Sequence, residues 1–171
     1  MLSETTHLTL VLGLGNILLS DDAVGVRVAE RLLDEYSFPP EVLVMDGGTL
    51  GLDLLGYVQD ADRLVVVDAL NVKAKPGTMA RLVDEEVPAF LAPKISAHQM
   101  GLVDLLAAAR LTGHFPHELV LWGVQPESLE VGLALTPAVA AQVESLAKHV
   151  LDELSRWGLT PTRKANEEES T

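Results

Sequence analysis

Residues 8–27, LTLVLGLGNILLSDDAVGVR, decide the fold class. Residues 8–14 are an apolar run too short for a helix and rich in strand formers, so they predict a buried β-strand. Gly13 and Gly15 flank Leu14 and allow a tight turn at the strand's end. Asn16 follows, then Ser20, Asp21 and Asp22. Ser20 is a natural N-cap, and acids in a first turn complement the helix dipole. Beyond them Val24, Val28, Leu32 and Tyr36 recur at helical spacing, leaving Arg27, Glu30, Arg31 and Glu35 for the wet face. A strand, a glycine turn and a helix in that order open an α/β unit. The two aspartates fall just past the carboxyl edge of its strand, where open α/β sheets bind ligands.

Outward from that unit, apolar runs alternate with helical patterns, which predicts a mainly parallel sheet covered on both faces. Pro39 and Pro40 break the chain before a short strand at 41–45, closed by Asp46-Gly47-Gly48-Thr49. Residues 50–58 carry apolar side chains at helical spacing, with Thr49 as cap. RLVVV at 63–67 reads as a central strand ending on Asp68. A basic, turn-rich loop at 73–77 leads to a strand at 78–83, whereas 84–93, with an acidic start and two prolines, shows no clear pattern. Ser96 can cap a helix over 97–111, and ELVLWGV at 118–124 is a last core strand. After a loop at 125–135, Thr136-Pro137 starts a helix running to Arg156, proline being tolerated at the first position. From Trp157 the chain turns polar and ends on Glu167-Glu168-Glu169, which predicts a disordered tail at 157–171. With no internal repeat and no linker, one domain over 1–156 is expected.

A chain of 171 residues can bury a real core without staples, and it contains no cysteine. Disulfides, thiolate metal sites and cysteine nucleophiles are therefore excluded, and a cytoplasmic location is expected. The formal net charge is −13, without a basic cluster, which argues against nucleic-acid binding. No apolar run reaches the length of a membrane span, and residues 1–7 are polar, unlike a signal peptide. No membrane association is expected.

Asp22 lies after the first strand, Asp68 ends the central strand, and His98 opens a helix. Two carboxylates and an imidazole are a borderline donor set that suits nickel, zinc or iron(II) and leaves coordination positions open. The helix dipole would keep His98 neutral and ready to ligate. Each residue also has a plain structural reading. Asp21 and Asp22 can be helix N-terminal acids, Asp68 can bond loop amides, and His98 can be a surface residue, as His7, His114, His117 and His149 are read. Other chemistries fit poorly. Gly13-x-Gly15-x-x-Leu18 lacks the third glycine of a dinucleotide fingerprint, no lysine precedes Lys73 to serve a phosphate loop, and no Gly-x-Ser-x-Gly elbow exists.

VLGLGNILLSDDAVGVR, MDGGTLGLDLLG, RLVVVDAL, PGTMARLVDEEVP, KISAHQMGLVDLL and LVLWGVQPESLEVGLALTP together resemble the nickel–iron hydrogenase maturation proteases, over roughly residues 8–154. The resemblance implies a three-layer αβα sandwich around a mainly parallel, twisted five-stranded sheet. It implies metal-recognition ligands at Asp22, Asp68 and His98, with Asp22 and Asp68 also the catalytic carboxylates. Many members carry glutamate where this chain has Asp22. The shorter side chain withdraws the carboxylate by about 1.5 Å and leaves Asp21 as a competitor. The activity implied is endopeptidase removal of the C-terminal extension of the hydrogenase large-subunit precursor once nickel is inserted. Nickel is then supplied by or shared with that precursor, zinc or cadmium can occupy the isolated site, and a monomer is expected. The alternative is a non-catalytic nickel-checking chaperone or binding module of the same fold.

Overall fold

The computed structural model describes residues 7–93 and 97–165, without the side chains of 97–100. The chain runs β1 (Thr9–Leu14), a 3₁₀ turn (Ser20–Ala23), α1 (Val24–Glu35), β2 (Tyr36–Ser37) and β3 (Val42–Gly48). A second 3₁₀ turn (Gly51–Leu54) leads into α2 (Leu55–Asp60), β4 (Arg63–Ala69), β5 (Met79–Val83) and α3 (Glu86–Leu91). Then come α4 (Ala97–Leu111), β6 (Glu118–Val124), α5 (Pro137–Ala140), α6 (Val143–Arg156) and β7 (Thr162–Arg163). Five strands form the main sheet in the order β3-β1-β4-β6-β5. All its pairings are parallel except β5 with β6, so β5 is an antiparallel edge. The expected αβα sandwich is the one observed.

Strand alternation divides the core between the two faces. Leu10, Leu12, Leu64, Val66, Leu119 and Leu121 pack with α2, α3 and α4, whereas Val11, Val65, Val67 and Val124 pack with α1 and α6. In β4 every residue after Arg63 is buried, as a strand covered on both sides requires. Gly13 and Gly25 set how closely α1 lies on the sheet. A Cβ on Gly13 would sit 2.1 Å from the Gly25 carbonyl oxygen, and one on Gly25 would sit 2.1 Å from that of Val67. This approach seats the 3₁₀ turn Ser20–Ala23 against β4.

Several local expectations are corrected. Ser20 is not an N-cap: it takes φ 52° within the 3₁₀ turn, and its hydroxyl donates to the Glu130 carbonyl instead. Thr49 makes no cap bond, and the pattern at 50–58 divides into a 3₁₀ turn and α2. The prolines and acids at 84–93 enclose α3, and the helix after Thr136 is broken into α5 and α6.

The expectation of disorder from Trp157 onward is corrected for residues 157–165. Trp157 and Leu159 pack on the α1/α6 core, the Arg63 guanidinium lies 5.3 Å from the Trp157 ring centroid, and β7 pairs antiparallel with β2. The polar composition concealed two apolar anchors and a strand partner lying far away in sequence.

Candidate functional site

The Gly-x-Gly-Asn turn holds Asp22 at the carboxyl edge of β1. Gly15 has φ 140°, and a Cβ there would lie 1.8 Å from the Asp22 carbonyl oxygen, so no other residue fits this turn. The Asn16 amide donates to Asp22 Oδ2 at 2.9 Å, while Asn16 Oδ1 accepts from the Leu18 amide at 2.9 Å. Asn16 thus orders the turn and the acid together. Asp22 is 3% exposed, and the little it shows faces a cleft of about 310 Å³.

The cleft has three walls. Leu14, Asn16, Leu19 and Asp22 come from the β1–α1 connection. Gly48, Thr49, Gly51 and Leu54 come from the β3–α2 connection, where Asp46 Oδ1 accepts from the Gly48 amide at 2.8 Å to close the turn. Gly101, Leu102 and Leu105 come from the N-terminal half of α4. The Asp46-Gly47-Gly48-Thr49 turn therefore both lines the cleft and ends a strand.

Asp68 lies at the carboxyl end of β4, paired in register with Gly123 of β6. It is 1% exposed, and its Oδ1 accepts from the Ala69 amide at 2.8 Å. Strand alternation places it on the face of Leu64 and Val66, the α4 side of the sheet. Asp22 and Asp68 thus share one sheet edge. His98 is the second residue of α4, four positions before Leu102 of the cleft wall, and its side chain lies outside the described residues. Among the described residues no three His, Cys, Asp or Glu side chains converge as a metal-ligand cluster.

Asp21 is no competitor for the cleft. It is fully buried, and its carboxylate accepts from the amides of Glu127, Ser128 and Thr136 and from the Thr136 hydroxyl. Burial alone would raise its pKa, but those hydrogen bonds outweigh it and hold the carboxyl below the usual aspartate value. Sequence reasoning missed this clasp, and with it the loop that Asp21 holds. One signal was available: Leu129, Val131 and Leu133 alternate in a loop whose composition should otherwise be polar.

Known proteins resemble this chain in both sequence and fold. A family model described as hydrogenase maturation protease, HycI, matches residues 26–153. The Hydrogenase 2 maturation protease of Escherichia coli K12 is 51% identical over 151 residues, covering 88% of this chain and 92% of that protein. This chain belongs to the hydrogenase maturation protease family. The solved structure of the hydrogenase maturating endopeptidase HybD from E. coli superposes with a TM-score of 0.88 at 49% identity, covering 92% of this chain and 98% of that one. The hydrogenase expression/formation protein HupD of Rhodobacter capsulatus is 42% identical, over 91% of this chain and 75% of its own. The protease is thus an endopeptidase, a hydrolase with the five-stranded fold described above. Among its described residues no helix is long and apolar enough to cross a membrane.

Proposed function

We propose that this protease removes the C-terminal extension of the nickel–iron hydrogenase large-subunit precursor after nickel insertion, and that Asp22, Asp68 and His98 read the nickel that the precursor carries. The observation that carries this reading is Asp22, a carboxylate withdrawn from solvent yet lining the cleft, with one oxygen held by the Asn16 amide. A second carboxylate on the same sheet edge, Asp68, supports it. The donor chemistry fits the ion, since two carboxylates and an imidazole suit nickel and leave positions for the precursor's own ligands. Zinc or cadmium is expected to occupy the same donors when the precursor is absent.

The ion, when present, makes the bound peptide carbonyl more electrophilic and nearby water more acidic. The chain's own part is to position and to move a proton. Asp22, or Asp68 on the same sheet edge, takes a proton from the attacking water. The water oxygen bonds to the scissile carbonyl carbon, the carbon–nitrogen bond breaks, and the proton passes to the leaving amine. The walls of the cleft hold the peptide in line for that attack. In this reading the protease works as a monomer in the cytoplasm, its cysteine-free chain needing no oxidising compartment.

The test is incubation of purified large-subunit precursor, with and without nickel, followed by mass measurement. A shortened subunit and a released peptide are expected with nickel alone. An uncut precursor under both conditions would refute the reading.

A further inference from the structure

Beside the cleft, the protease presents apolar side chains that its own core does not use. Residues 127–133 run past the 3₁₀ turn Ser20–Ala23 and are tied to it at several points. Leu19 and Gly132 form an isolated parallel bridge. The Ser20 amide donates to Gly132 O at 3.0 Å, and the Gly132 amide donates to Leu18 O at 2.9 Å. The Ser20 hydroxyl donates to Glu130 O at 2.7 Å, and the Asp21 amide to Ser128 O at 3.1 Å. The Asp21 carboxylate holds the loop from beneath through the Glu127 and Ser128 amides.

On this fixed segment Leu129, Val131 and Leu133 are 51%, 87% and 71% exposed. Ile17 and Leu18, on the turn it clasps, are exposed as well, and the next residue, Leu19, lines the cleft. Scattered exposed leucines need no explanation, but a contiguous apolar edge held rigid by hydrogen bonds marks an interaction surface. Its position names the partner. An endopeptidase grips its substrate on both sides of the scissile bond, so a surface continuous with the cleft meets the same chain that enters it. The edge also carries the exposed acids Glu127 and Glu130, on a chain of net charge −13.

Resting on the function proposed above, we infer that this clasped edge docks the large-subunit precursor through an apolar segment bordered by Lys or Arg side chains. Apolar contact supplies affinity, and the acids steer the approach.

The test compares Val131→Ser/Leu133→Ser with wild type in steady-state cleavage of full-length nickel-loaded precursor. Both side chains are exposed, so folding is preserved. KM is expected to rise about tenfold or more with kcat nearly unchanged, because fully burying one such side chain is worth about a factor of ten. Leu111→Ser, an 88% exposed leucine at the far end of α4, is the control and should leave KM unaltered. An unchanged KM in the double variant, or an equal rise in the control, overturns the inference. So does a wild-type dimer that the double variant dissolves while KM stays the same, since the edge then joins two copies of the protease. Should wild type leave the precursor uncut, the proposed activity fails separately. Interferometry of the same precursor on immobilised protease still tests the edge: tenfold weaker binding by the double variant supports docking, and equal binding overturns it.

Discussion

The carboxylate of Asp21 grips Thr136 twice, accepting its backbone amide at 2.7 Å and its hydroxyl at 2.8 Å across 115 positions of sequence. The next residue, Asp22, instead accepts the amide of Asn16 and faces the cleft. Successive residues of a 3₁₀ turn point about a third of a turn apart, so one pair of acids divides into a structural clasp and a residue that lines the cleft.

That division predicts opposite phenotypes for two neighbouring substitutions. In Asp21→Asn an amide NH₂ faces donors that expect an acceptor, so stability should fall by about 1–3 kcal/mol. Cleavage should remain measurable at low temperature. Asp22→Asn should fold with near-normal stability and cleave nothing. Urea titration paired with precursor cleavage separates the two, and the reverse order would mean that Asp21 is the site residue.

The Asp21 carboxyl also implies a pH dependence. Its folded pKa lies below the ordinary 3.8, so between the two values the unfolded chain binds more protons than the folded one. The stabilisation it provides is complete above the unfolded value and is lost as pH falls through the folded one. Glu153 behaves alike: burial raises its pKa, but the Arg81 guanidinium, which bonds it at 2.6 Å, brings the net value below the ordinary 4.5. Urea midpoints measured downward from pH 5 should decline for wild type and decline less for Asp21→Asn. Parallel curves would show that the clasp contributes nothing through its charge.

Two glycine substitutions test how α1 is seated. A Cβ on Gly25 would meet the carbonyl oxygens of Val67 at 2.1 Å and Leu14 at 2.4 Å, both backbone atoms that cannot step aside. Gly25→Ala should therefore cost about 3 kcal/mol or more and displace the turn that carries Asp22. Gly56, in α2, has open space where a methyl group would stand, with nothing within 4 Å, so Gly56→Ala should be neutral or stabilising by up to about 1 kcal/mol. Denaturant unfolding of both variants checks the contrast.

His98→Ala should abolish nickel-dependent processing while leaving the melting temperature unchanged. With wild type, cleavage should follow nickel loading and fail on zinc-loaded or metal-free precursor. Equal rates on all three would overturn the metal-reading role proposed for Asp22, Asp68 and His98.

Much of this protein was legible in its residues. The apolar runs of β1, β4 and β6 can only be strands covered on both faces, and the alternation with helices leaves a parallel sheet as the way to bury them. Asp22 and Asp68 were marked by position alone, as acids where apolar strands end. The antiparallel direction of β5 was not legible, because strand direction depends on how a distant edge is reached. The β2–β7 pair was hidden for the same reason, its two short segments gaining meaning only from each other.

The layers, the strand edge and the acids upon it follow from residue patterns alone, because hydrophobic period and turn chemistry are local properties. Where each acid points is set by the folded packing. Asp21 and Asp22 are chemically identical and adjacent, and their surroundings diverge because Glu127, Ser128 and Thr136 arrive from far along the chain to satisfy one of them. Hydrogen-bond partners more than a hundred residues away are set by packing, which no local pattern of residues encodes.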